Sequence, residues 1–200
     1  MSELPEKQIK RLRNLLVEAE TNISAAKELL NNVTDTTEKG NLEERLEEVE
    51  AGIAVLALLE NLEVQDKELA QAAIDATALS YAPYSGFNVG AAVMFEDGEM
   101  IKGSNQENAA YPSGICAERT ALFYASSSRP DVAITALAIA AGQKGVLCGT
   151  PATPCGACRQ VMAQYQTKSG RPMSVLLIGA DKIWKFEKID DLLPLIFDSI

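Results

Sequence analysis

The sequence predicts an α/β fold, a layered sheet with helices on its faces, preceded by an antiparallel α-helical hairpin. Three observations carry this reading. The first sixty-odd residues place apolar side chains three and four apart, the spacing of one helix face. Two apolar runs flank Asp97-Gly98, a dipeptide suited to a tight β-hairpin turn. Beyond it, strand-like runs alternate with helical ones.

The elements follow in order. Ile9, Leu12, Leu16, Ala19, Ile23, Ala26, Leu30 and Val33 form a heptad seam. "NNVTDTTEKGN" (31–41) interrupts it with turn and capping residues. Asn41 with Glu44 suits a capping box for the second helix, with Asp35 and Glu38 as a competing start. Leu42, Leu46, Val49, Ile53 and Leu56 then make a second stripe. Such a hairpin packs against its own chain or a sister subunit; docking of another protein is the sharper alternative. A third helix is expected from about Gln65 to Tyr81, with Leu69, Ala72, Ala73, Ala76 and Leu79 on one side. "APYSG" is a turn cluster, and "FNVGAAVMFEDGEMIKGSN" reads as two strands. Residues 116–128 read as helix, 133–142 as a buried strand and 155–167 as helix. Residues 173–180 read as strand, and "KIDDLLPLIF" as a short final helix. The domains implied are a hairpin extension over 1–62 and a catalytic domain over 63–200.

Composition narrows the function classes. With 47% apolar and 23% charged residues the chain can bury a core. The formal charge of −10 opposes nucleic acid as the main partner, because phosphate binding depends on basic surfaces. "MSELPEKQIKRLRN" lacks the apolar stretch of a signal peptide, and "GIAVLALL" (52–59) is too short to span a bilayer. A cytoplasmic setting is therefore expected, where paired cysteines more often bind metal or catalyse than form disulfides. The acid is uneven: residues 1–63 carry net −7 and residues 64–200 net −3. The near-neutral second part suits a small neutral substrate.

The chemistry concentrates in "TPCGACRQVM" (153–162), where Cys155 and Cys158 open a helix in a chain with no histidine and two other cysteines. Cys116 opens another helix, and helix N-termini favour thiolate over thiol. Three thiolates on zinc leave one tetrahedral position open, the catalytic arrangement; a fourth from Cys148 would close it into a structural site. Both readings stand on cysteines alone. "CAE" at one helix start and "PCGAC" at the other favour catalysis, because Glu118 can then reach a water on the metal as general acid/base. This order of ligands and carboxylate is the signature of zinc nucleobase deaminases. Three thiolates also leave zinc with net negative charge. Arg119 is a candidate to donate to a ligand sulfur and withdraw that charge, and Arg159 is a second.

On "YAPYSGFNVGAA", "NQENAAYPSGICAERTALF", "PCGACRQVM" and "LLPLIF", the chain from about Leu69 to Phe197 resembles the small, homotetrameric cytidine deaminases. The resemblance implies a three-layer α/β/α fold and one zinc per chain on Cys116, Cys155 and Cys158. It implies hydrolytic deamination of cytidine and 2'-deoxycytidine to uridine and 2'-deoxyuridine, a step of pyrimidine salvage. Glu118 would take a proton from water on the metal, protonate N3 and help ammonia leave C4. Phe87 would pack on the base, Asn105 and Glu107 would bind the ribose hydroxyls, and the backbone at Ala117 would face the base edge. Tyr111 and Phe197 match positions near the pocket, donated by neighbouring subunits. Residues 1 to about 62 have no counterpart in the family pattern.

Other functions compete: a deaminase of a related aminopyrimidine nucleoside, a polynucleotide-editing deaminase, and a non-enzymatic interaction protein with a four-cysteine zinc site. Low basic charge opposes the second.

Overall fold

A computed structural model describes residues 6–197, without the side chains of 6–10, 12 and 13. The chain divides into two compact units between Asn61 and Leu62. Among the described residues no helix is long and apolar enough to cross a membrane.

The first unit holds α1 (Glu6–Leu30) and α2 (Thr36–Leu59). Asp35 begins α2, its carboxylate accepting from the amides of Thr37 and Glu38 at 2.9 and 3.0 Å. Asn41 lies inside the helix, so the capping box expected there does not form. The acid six residues earlier satisfies two unpaired amides and sets negative charge at the positive helix end. Of the predicted seam, Ile23 and Leu30 are buried and Leu16, Ala19, Ala26 and Val33 half-buried; the side chains of Ile9 and Leu12 lie outside the described ones. The second stripe departs from expectation in part, with Leu42, Leu46 and Ile53 half-buried. Val49 and Leu56 are about half exposed, at 52% and 48%, while Val55 and Leu59 are buried. "GIAVLALL" is apolar on every side, so its period cannot select a face.

In the second unit α3 (Val64–Ala76) ends earlier than expected, in a 3-10 turn over Thr77–Leu79 that leaves Leu79 exposed. The cause is Tyr81. Its amide donates to Asn105 O at 3.0 Å and its carbonyl accepts from the Glu107 amide at 2.8 Å, which needs extended backbone. Strands β1 (Phe87–Phe95), β2 (Met100–Ser104), β3 (Ile134–Gln143), β4 (Val146–Leu147), β5 (Ser174–Ile178) and β6 (Ile183–Phe186) form one sheet. Its order is β2-β1-β3-β5-β6, with β4 paired to β3. Only β3 and β5 run parallel, joined through α5 (Gly156–Ser169). Ala91, Val93 and Phe95 face a core with α4 (Ala117–Ser128) and α5, while α3 covers the other face. Layers of helix, sheet and helix result.

The final helix expected over "KIDDLLPLIF" is one 3-10 turn, Ile189–Asp191. Pro194 lacks a donor and biases Leu193 away from helix, so the turn does not propagate. Strands β4 and β6 were not foreseen. They are two and four residues long, too short for a period to register.

Two glycines set the layer spacing. A Cβ on Gly90 would meet Ala73 O of α3 at 2.2 Å, and one on Gly103 would meet Ala121 N of α4 at 2.5 Å. Because α4 carries Cys116 and Glu118 at its start, Gly103→Ala should disturb the site as well as the packing. Backbone atoms cannot swing aside as a flexible side chain would, so we expect a cost of about 1–3 kcal/mol. Calorimetry should show a fall of roughly 2–4 °C per kcal/mol; an unchanged midpoint would contradict this close approach.

Candidate active site

Helices α4 and α5 begin beside each other, with Cys116 and Cys155 at their N-cap positions and Cys158 in the first turn of α5. Neither capping cysteine uses its side chain to cap the backbone amides of its own helix, so both sulfurs are left to the cluster. The three sulfurs lie within 4.8 Å of one another, at 3.9 Å for Cys116–Cys155 and 3.4 Å for Cys155–Cys158. Tetrahedral zinc with Zn–S near 2.3 Å separates its sulfurs by about 3.8 Å. The donor set and its spacing therefore fit zinc. Cys148 is outside the cluster; its backbone is tied to Ala141 O and to the Ala180 amide. The four-thiolate structural reading is not favoured.

The electrostatics suit a cation. The Cys116 thiol is lowered to about 5, chiefly by hydrogen bonding to Cys158, with support from Arg119, against the opposing effect of burial. Cys158 is pushed up by the same bond and by burial. Arg119 Nη2 donates to Cys116 Sγ at 3.6 Å, while its buried Nε has no partner among the described residues. A donor held against the thiols in this way fits an anionic ligand set. Arg159 behaves otherwise. It reaches no sulfur; Nε donates to Pro154 O at 2.8 Å and Nη1 to Leu192 O at 3.2 Å.

Glu118 is only 4% exposed. Burial pushes its carboxyl above the ordinary range, and the negative Cys116 adds to the rise. It lines a cavity of about 420 Å³ with Cys116, Ala117, Arg119 and Cys155. Phe87, Asn105, Glu107 and Tyr111 line the same cavity. Phe197 does not; it is 67% exposed, with its backbone bonded to Gln160.

Asn105 and Glu107 also brace the chain. Asn105 Oδ1 accepts from Ser80 Oγ at 2.5 Å and the Val89 amide at 2.8 Å, and Nδ2 donates to Phe87 O at 2.9 Å. Glu107 accepts from Ser85 Oγ at 2.5 Å and the Tyr84 amide at 2.9 Å, which holds its carboxyl below the usual range. Tyr111 is 78% exposed and meets the Tyr84 ring edge-on at 6.3 Å. Sequence reasoning missed Ser80, Ser85 and the wall residues Ile139 and Thr153. Ser85 sits in the turn cluster, but its partner is 22 positions away, beyond any local pattern.

Residues 63–170 match the family described as the cytidine and deoxycytidylate deaminase zinc-binding region. The chain is 52% identical over 97 residues to a cytidine deaminase of Halalkalibacterium halodurans, covering 48% of this chain and 68% of that protein. Identity is 38% over 122 residues to a cytidine deaminase of Mycobacterium tuberculosis, covering 61% and 81%. The crystal structure of the Burkholderia pseudomallei cytidine deaminase superposes with a TM-score of 0.56 at 37% identity, over 65% of this chain and 97% of that one.

Proposed function

The chain belongs to the cytidine and deoxycytidylate deaminase family, and from that premise we propose that it hydrolyses cytidine and 2'-deoxycytidine to uridine and 2'-deoxyuridine with release of ammonia. The observation that carries this reading is the three-thiol cluster beside buried Glu118 at one cavity. When bound to Cys116, Cys155 and Cys158, zinc supplies Lewis-acid activation of water. Glu118 does the proton work. Burial raises its carboxyl above the ordinary range, which favours its holding a proton, so it can pass one proton from water to N3 of the pyrimidine and the second to the nitrogen departing from C4. Arg119 draws negative charge from Cys116.

The remaining residues orient the nucleoside. Phe87 packs on the base, and the backbone at Ala117 faces its edge. Asn105 spends both oxygen lone pairs and one N–H on its own chain, leaving its second N–H for a ribose hydroxyl. Glu107 accepts from a ribose hydroxyl in turn. Tyr111 and Phe197, both exposed, would meet neighbouring subunits in a homotetramer. A cytoplasmic enzyme of pyrimidine salvage, with residues 1–62 as an extension to a catalytic domain over 63–200, completes the proposal.

The deciding experiment follows the absorbance loss of cytidine and deoxycytidine with purified protein, with zinc measured on the same sample. We expect turnover with about one zinc per chain. Zinc without turnover of either nucleoside would sink the proposal. The Glu107 carboxylate should also disfavour a phosphate, since like charges brought together cost several kcal/mol. The 5'-monophosphates should therefore show kcat/KM lower by about 10²-fold; equal rates would remove Glu107 from the ribose site.

A further inference from the structure

The approach to the zinc cluster is weakly held by its own backbone. Pro151 and Pro154 contribute no amide donors, and no backbone–backbone hydrogen bond involves residues 150–154 among the described residues. The ligand that follows, Cys155, is exposed, whereas Cys116 is half-buried and Cys158 buried. Packing therefore does least for the sulfur that most depends on the loop. Arg159 supplies what the backbone does not. One turn along α5 it bonds the carbonyl next to Cys155, and its other arm bonds Leu192 O. Leu192 belongs to residues 189–197, which α5 fastens elsewhere by different side chains. Gln166 accepts from the Ile189 amide at 3.0 Å and donates to Asp190 at 2.9 Å, and Gln160 holds Phe197. Of these three α5 side chains, only Arg159 bonds both that segment and the metal loop.

We propose that Arg159 is a positioning residue for zinc: by bridging the Pro154 and Leu192 carbonyls it holds Cys155 within the ligand triangle. The inference rests on the three-thiolate zinc reading and adds how that triangle is kept closed. Arg159→Met retains the aliphatic stem and removes both bonds. Zinc-loaded wild type and variant would be mixed with excess chromogenic chelator, and the release rate read directly. Loss of a group supporting a ligand typically weakens metal binding by about 10–100-fold, and release should quicken on that scale. In the steady state kcat should fall more than KM rises, because Arg159 does not line the cavity. Arg159→Lys, which keeps a donor on a shorter head, should release zinc at an intermediate rate and serves if the methionine variant does not fold. Gln166→Met frees residues 173, 189 and 190 but leaves the Pro154 bond intact. It should lower the melting temperature without matching the quickened release. Wild-type release rates in both Arg159 variants would overturn the proposal. So would a Gln166→Met chain that sheds zinc as fast as Arg159→Met, because segment packing would then be the cause. A wild-type chain that carries no zinc would instead overturn the zinc reading itself.

Discussion

Glu118→Gln should lower kcat by about 10²–10⁴-fold, the contribution of a positioned acid/base group, while zinc content stays at the wild-type level. Glutamine keeps the shape and a hydrogen-bonding head but cannot carry a proton between water, N3 and the leaving nitrogen. The variant should not be less stable. At 4% exposure the carboxylate pays for its burial beside the negative Cys116, and the neutral amide removes that penalty. The metal-free variant should therefore melt no lower than the metal-free wild type. Turnover within tenfold of wild type would remove Glu118 from the proton path.

The second large effect concerns the thiols. Cys158→Ser should lose both zinc and turnover, and Cys148→Ser should keep both, since Cys148 lies outside the sulfur cluster. Metal binding is coupled to folding, so a ligand present at a thousand times its dissociation constant adds about 4 kcal/mol. Chelating the wild type should accordingly lower its melting temperature and abolish activity, and restored zinc should recover both. Zinc loss from Cys148→Ser would bring back the four-thiolate reading.

Legibility differed between the two units. Where side chains alternate against a sheet or a motif falls within one helical turn, the local pattern carries the answer. The β1–β2 hairpin at Asp97-Gly98, the helix starts at Cys116 and Cys155, and α5 between two strands were all readable this way. In the first unit the pattern was ambiguous, because "GIAVLALL" offers several equivalent faces, and Val55 and Leu59 were buried instead of Val49 and Leu56. At the C-terminus hydrophobicity suggested a helix that Pro194 interrupts.

The sequence by itself determined the Cys155-x-x-Cys158 pair at one helix start, Cys116 with the carboxylate two residues after it at another, and the order of the longer strands and helices, because each is written in neighbours within a few positions. Tertiary structure alone decided that Cys148 stands outside the cluster, that Arg119 serves a sulfur and Arg159 two carbonyls, and that Asn105 and Glu107 brace the wall they line. Those outcomes depend on distances between residues such as Cys116 and Cys155, 39 positions apart, or Arg159 and Leu192, 33 apart. Such distances are set by how the layers pack, through close approaches like that of α4 to Gly103, and no local pattern encodes them.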